Sequence, residues 1–227
     1  MTPSFSEQGR FITFEGGEGV GKSTQIALLC AYLQNRGLEV VVTREPGGTP
    51  KAERLRRALL SGAIKSLGPL AEAALFAAAR IDHIEKLIEP ALQRGAWVLC
   101  DRFMDSTRAY QGANGGVSHE SMHWIEAASI GKMIPDLTLI LDLDPREGLL
   151  RAHNRRQSNE VADRFEGEAL SFHLALRRAF HDIARQYPQR CHVIDASAPV
   201  ADVARIIQNF IDDRFFNHSM KSINQEA

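Results

Sequence analysis

The sequence predicts an α/β fold in which a parallel sheet is covered by helices on both faces. Five short runs, at residues 11–15, 40–43, 97–101, 138–142 and 192–195, are apolar almost throughout and rich in β-branched or aromatic side chains. A strand with one wet face would alternate; these do not, which suits strands met by a helix on either side. Between the runs lie longer segments with helical apolar spacing, at 22–35, 70–94, 118–130 and 166–187. Strands alternating with helices imply right-handed crossovers, and they put the ligand site beyond the carboxyl ends of the strands.

The clearest helical signal is the stripe Ala71, Ala74/Leu75, Ala78, Ile81, Ile84, Leu87/Ile88 and Ala91. Pro90 is expected to kink or divide that helix, because it has no N–H to give and its ring crowds the preceding turn. Residues 151–164 differ in kind. They have little apolar content and carry Arg151, Arg155, Arg156 and Arg164, so they read as a mobile, solvent-facing lid segment. The polar ends, 1–8 and 218–227, are expected to fray. No internal repeat or linker composition interrupts the 227 residues, and one domain is expected.

Composition excludes several classes. With 27 Lys+Arg against 28 Asp+Glu the net charge is −1, which supplies no field for a nucleic acid polymer or an acidic membrane. No apolar stretch nears the roughly 20 residues that span a bilayer, and a cytoplasmic location is expected. Cys30, Cys100 and Cys191 are odd in number, far apart and set in apolar runs, the pattern of reduced core thiols.

Directly after the first run comes Gly16-Gly17-Glu18-Gly19-Val20-Gly21-Lys22-Ser23-Thr24, which satisfies G-x-x-x-x-G-K-[ST] in its strand–loop–helix setting. The glycines let successive backbone N–H groups turn onto ATP phosphates, and the start of the helix adds its positive dipole end. Lys22 can span the β- and γ-phosphates, and the Ser23 hydroxyl can ligate Mg²⁺. The fold class is therefore a P-loop NTPase fold. N-K-x-D and D-x-x-G, which a GTPase would carry, are absent.

Arginines stand at the ends of the next two strands, Arg44 in TREPGG and Arg102 in DRF. Guanidinium forks there can hold a second, acceptor phosphate; the alternatives are loop ion pairs, Arg44 with Glu45 and Arg102 with Asp101. Asp101 ends its strand as a Walker B carboxylate does, and is placed to reach the Mg²⁺ shell through water. Asp142 and Asp144 carry no expected chemistry beyond capping the helix near Pro145.

The motifs FEGGEGVGKST, TREPGGT, LFAAARIDH, DRFMDSTRAYQG, PDLTLILDLDP, DRFE and IDASAPV, in that order, resemble the thymidylate kinase family over nearly the whole chain. The resemblance implies a five-stranded parallel sheet flanked by helices, a homodimer, and phosphorylation of dTMP to dTDP by ATP with Mg²⁺. It implies that Glu18 contacts the 3′-hydroxyl side of dTMP and that Arg44 and Arg102 hold its phosphate. Phe76 and Arg80 would stack on thymine and bond its O4 edge; their four-residue spacing independently puts them on one helix face. Thr107 and Gln111 would contact the base edge, and Tyr110 would crowd C2′. Ala196 and Ser197 would lie around adenine. With Gly19 in the loop, the catalytic arginine would come from the lid, as in the bacterial kind: Arg151, Arg155 or Arg156. Rival readings are another nucleoside monophosphate or deoxynucleoside kinase, and a non-catalytic nucleotide-binding switch.

Overall fold

The computed structural model describes residues 9–156 and 164–217. Among them, β1 (Phe11–Glu15), β2 (Val40–Arg44), β3 (Trp97–Asp101), β4 (Leu137–Asp142) and β5 (Cys191–Asp195) form one parallel sheet in the order β2-β3-β1-β4-β5. Each apolar run became a strand, to within one residue at each end. β1 lies at the centre, with Ile12 opposite Leu99 of β3 and Leu137 of β4, and all five of its residues are buried. Both faces are covered, which is why the run does not alternate.

On one face, α1 (Lys22–Gln34) and α9 (Val200–Ile211) bring Leu29, Leu33, Val203 and Ile207 against Ile12, Phe14, Leu99 and Leu139. On the other, Phe11, Val98 and Cys100 meet Ile84, Ile88 and Ala91, and Ile140 meets Leu176 and Phe180 of α8 (Leu170–Gln186). The order turns back at β1, so the loop after it opens onto a crevice that the ends of β2 and β3 also line.

Helix α3 (Gly68–His83) corrects the simplest view of its apolar stripe. Ala74, Ala78 and Ile81 are exposed, whereas the buried face carries Glu72, Ala73, Ala77, Ala79, Arg80 and His83. The polar members of that face are buried because each is hydrogen-bonded to a side chain from another part of the chain, Glu72 to Gln111, and Arg80 and His83 to Glu45. Further along, the helix runs on through a π turn (Ile84–Ile88) into α4 (Glu89–Gln93), and Pro90 follows directly on that wider turn. The helix expected to kink or divide at Pro90 is not divided there, and only its winding changes just before the proline.

Among the described residues, helices α2 (Pro50–Leu60) and α9 and a short helix after β3 fall outside the sequence expectations, while the helix expected near Pro145 is α7 (Pro145–Arg156). Thr49 caps α2 by accepting from Ala52 N at 3.1 Å. Helix α7 corrects the reading of 151–164 as a loose lid, since residues 151–156 are helical and Ala152 is fully buried. Residues 157–163 and both polar ends, 1–8 and 218–227, lie outside the described residues. Asp144 does cap α7, accepting from Arg146 N at 2.8 Å, but Asp142 turns to α8 and takes Arg177 through both carboxylate oxygens at 2.7 Å. The helix expected over 166–187 begins at Leu170, preceded by a separate 3₁₀ turn (Arg164–Gly167).

The turn after β3 enters α5 (Met104–Thr107), whose Asp105 is fully buried and held by Arg190 at 2.7 and 2.8 Å. Removing one partner of such a pair strands the other charge. Arg190→Met is expected to lower unfolding stability by about 3–5 kcal/mol in urea titration; a loss below about 1 kcal/mol would mean that Arg108, the second partner of Asp105, suffices.

Candidate active site

The glycine loop between β1 and Lys22 packs backbone to backbone against α7. A Cβ on Gly19 would lie 1.9 Å from the Gly148 carbonyl oxygen, so an arginine has no room at that position. Lys22 is buried and folds back over the loop, donating from Nζ to the Gly17 carbonyl at 2.7 Å and the Gly16 carbonyl at 3.3 Å. Burial lowers its pKa, and the nearby Arg102 charge adds to that. Val20 is a core residue, and its side chain anchors the loop. Thr24 is exposed on the first turn of α1.

Ser23 Oγ donates to Asp101 Oδ2 at 3.0 Å, while Asp101 Oδ1 is buried with no partner among the described residues. An orphaned carboxylate oxygen beside a hydroxyl is a hard-oxygen pair, the donor chemistry that Mg²⁺ prefers. The two residues therefore fit a magnesium shell completed by phosphate and water.

Beyond the loop opens a cleft of about 720 Å³. It brings together Glu18, Lys22, Ser23, Arg44, Phe76, Arg80, Asp101, Arg102, Thr107, Tyr110 and Gln111, every acceptor-side residue named from the sequence. Glu18 Oε1 accepts from Arg102 Nη2 at 2.6 Å and from the Tyr110 hydroxyl at 2.7 Å. Burial alone would raise the Glu18 carboxyl, but Arg102, Lys22 and Tyr110 outweigh it and hold the pKa at about 2. Arg102 has a positive φ of 70°, donates also to the Gly16 carbonyl at 3.0 Å, and lies over the Tyr110 ring. Its ion partner is thus Glu18 rather than Asp101. Arg44 likewise pairs with Glu53 at 3.3 Å, not with Glu45, and stays half-exposed.

At the far end of the cleft Phe76 is half-buried against the cluster that includes Tyr110 and Phe180. Arg80 is buried and donates to Glu45 and Thr107. Gln111 Nε2 donates to Glu72 Oε2 at 2.9 Å. Several cleft residues were missed in the sequence: Arg56, which reaches the Pro46 carbonyl at 2.7 Å, and Ser106 and Phe165. Arg56 sits on the unrecognised α2; finding that helix from its Thr49-Pro50 start would have found it.

On the other side of the loop a second cleft of about 510 Å³ is lined by Gly19, Gly21, Thr24, Arg151, Ala196 and Ser197, among others. Arg151 projects from α7, bonded to Glu147 at 2.5 Å and to the Ala196 carbonyl at 3.5 Å. The side chains of Arg155, Arg156 and Arg164 lie outside the described residues.

A glycine loop carrying Lys22 and Ser23, opening into one cleft that Arg44 and Arg102 also line, defines a P-loop phosphotransferase. A family model, Thymidylate kinase, matches residues 14–207. The chain is 56% identical over 207 residues to a thymidylate kinase of Afipia carboxidovorans, covering 91% of this chain and 90% of that one. It is 58% identical over 200 residues to one of Rhodopseudomonas palustris, covering 88% and 86%. The crystal structure of thymidylate kinase from Ehrlichia chaffeensis superposes with a TM-score of 0.72 at 34% identity, covering 90% of this chain and 99% of that one. This chain belongs to the thymidylate kinase family.

Glu15, the last residue of β1, is fully buried and pins the turn carrying Arg102: Oε1 accepts from Phe103 N at 2.8 Å and Oε2 from Ser106 Oγ at 2.6 Å. Burial, with the Asp105 charge in second place, pushes its pKa up to about 7. The native state therefore holds a proton that the unfolded chain, with an ordinary carboxyl, has released. That contribution to stability is full below the ordinary carboxyl pKa and is lost as pH rises through about 7. Relative to Glu15→Gln, the unmutated protein is expected to lose about 1–3 kcal/mol of unfolding stability between acid and mildly alkaline pH in urea titrations. A difference that stays constant with pH would contradict the shift.

Proposed function

We propose that this enzyme transfers the γ-phosphoryl group of Mg²⁺-ATP to the 5′-phosphate of dTMP, yielding dTDP and ADP, a step in nucleotide biosynthesis. Family membership supports dTMP and ATP as substrates. The observation that carries the site assignment is the single cleft lined by the glycine loop, Lys22, Arg102 and Arg44 together.

An oxygen of the acceptor phosphate attacks the γ-phosphorus while the bond to the β,γ-bridging oxygen breaks, and the electron pair leaves on ADP. The nucleophile is already an anion, so no side chain need take its proton; the protein's task is to align two polyanions and neutralise charge on the moving group. Each cation here rests on a partner that phosphate oxygens can replace: Lys22 on loop carbonyls, Arg102 on Glu18 and Gly16, Arg44 on Glu53. Arg102 and Arg44 hold the acceptor phosphate. Glu18 remains at the sugar, kept ionised and aimed by Tyr110. Tyr110 fills the space beside C2′, where a ribose hydroxyl would sit.

Phe76 offers a face to the thymine ring, Arg80 its O4 partner, and Thr107 and Gln111 the remaining edge. Adenine lies against the backbone of Ala196 and Ser197, with Gly16–Thr24 around the donor phosphates. Ser23 and Asp101 would hold Mg²⁺, which when bound neutralises charge on the β- and γ-phosphates. Arg151, Arg155 and Arg156 are the candidates for the arginine that meets the transferred group, since Gly148 denies position 19 to one.

We also read residues 1–227 as one kinase domain that acts as a homodimer in the cytoplasm. Leu67, Leu70 and Trp124 are more than half exposed, on or beside the packed pair α3 and α6 (His119–Ile130), and Ala74, Ala78 and Ile81 join them; an apolar surface of that kind supports self-association. The three cysteines are free thiols, and no single helix among the described residues is long and apolar enough to cross a membrane.

ADP release from Mg²⁺-ATP, measured with dTMP, dUMP, dGMP, dCMP, AMP, thymidine or no acceptor, tests the reading. dTMP is expected to give the highest kcat/KM, and Lys22→Ala to lower kcat by a factor on the order of 10² or more. Preference for another nucleotide would favour the rival kinase reading, and acceptor-independent hydrolysis the nucleotide switch.

A further inference from the structure

Arg80 ends a buried chain of hydrogen bonds that starts on the edge strand. Its Nε donates to Glu45 Oε2 at 2.7 Å and its Nη2 to Thr107 Oγ1 at 3.0 Å. Glu45 Oε1 meets His83 Nδ1 at 3.0 Å, and His83 Nε2 meets Thr43 Oγ1 at 2.7 Å. An ionised carboxylate only accepts, so the Nδ1–H tautomer of His83 donates to Glu45. All five side chains are buried, His83 completely. Gly48 has φ +86°, and a Cβ there would lie 2.5 Å from His83 Nε2, so the ring is wedged beneath the loop that follows β2. The Phe103 ring closes the last side, 5.1 Å from the guanidinium carbon.

A guanidinium is a rigid planar fork. Two of the three Arg80 nitrogens are committed to protein acceptors, which leaves Nη1 without a hydrogen bond among the described residues, on a side chain that lines the acceptor cleft. Held along two edges, the fork offers its free N–H groups in one fixed direction. A pyrimidine with oxygen at C4 accepts from such a donor. A pyrimidine with an amino group at C4 presents N–H against N–H and leaves both unpaired.

We propose that Glu45 and His83 are positioning residues that lock the Arg80 fork and so set the preference for a 4-oxo over a 4-amino pyrimidine nucleotide. This rests on the reading of Arg80 as the group that faces the base. Thr43 belongs to the same device, one hydrogen bond further back.

The test is kcat/KM for dTMP and for dCMP, with KM for ATP as an internal control, in Glu45→Gln, His83→Gln, Thr43→Val, Arg80→Lys and the His83→Gln/Arg80→Lys double variant. The dTMP-to-dCMP ratio is expected to fall about tenfold or more in Arg80→Lys and about fivefold in Glu45→Gln and His83→Gln, with KM for ATP within about twofold. His83→Gln should have no further effect on the ratio once Arg80 is replaced, because the two act on one contact. Thr43→Val keeps the ring and removes a single bond, so its expected loss of about threefold carries the test if His83→Gln does not fold. An unchanged ratio in the Glu45, His83 and Thr43 variants, with a fall in Arg80→Lys, would overturn the positioning role and leave the base reading standing. An unchanged ratio in Arg80→Lys would overturn both. Equal losses for the two acceptors together with a raised KM for ATP would reduce the chain to a structural one and overturn the proposal.

Discussion

The ion pair between Arg102 and Glu18, 2.6 Å long and almost shut off from water, joins the two halves of the site. Glu18 belongs to the loop after β1 and Arg102 to the turn after β3, so the pair ties the glycine loop to the turn beside it. Tyr110 adds the third corner, bonding Glu18 and lying against the guanidinium. Buried charges are tolerable only when paired and further hydrogen-bonded. Here the backbone of Gly16 and the hydroxyl of Ser106 complete Arg102. The arrangement is compatible with catalysis because one carboxylate and one carbonyl can cede Arg102 N–H groups to a phosphate without leaving the arginine bare.

Everything behind that pair serves to aim it. The reversal of strand order at β1 puts the carboxyl ends of β1, β2 and β3 around one crevice, and each ends in a charged residue: Glu15, Arg44 and Asp101. Glu15 faces inward and pins Phe103 N and Ser106, which fixes the turn in which Arg102 adopts its left-handed conformation. Asp105, one turn further, is clamped by Arg190 from the start of β5. Arg102 thus stands on two buried acidic side chains, Glu15 at the end of β1 and Asp105 of α5. On the donor side, close contact between Gly19 and Gly148 fits the loop to α7.

The strands were legible because full burial on both faces leaves an unbroken apolar run, and the phosphate loop because its glycines, Lys22 and Ser23 have a fixed spacing. Arg44, Phe76, Arg80, Arg102, Thr107, Tyr110 and Gln111 were named from their motifs, and the fold brings all of them to one cleft. Their partners were not. Arg102 pairs with a residue 84 positions away and Arg80 with one 35 away, and no local pattern records such contacts. The α3 stripe misled for a related reason: its buried face carries Glu72, Arg80 and His83, whose cost of burial is offset by bonds to residues from other elements. The end of α7, residues 151–156, was mistaken for a loose segment because charge density hid the buried Ala152, and α2 was missed because Arg54, Arg56 and Arg57 thin its apolar spacing.

Calorimetric titration of dTMP and of thymidine into the unmutated enzyme and Arg102→Gln isolates what Arg102 does for the acceptor phosphate. If the guanidinium leaves Glu18 for that phosphate, the variant loses about tenfold or more in dTMP affinity and no more than about twofold in thymidine affinity. Equal losses for the two ligands would mean that Arg102 only shapes the pocket, and would contradict the central place given to it here.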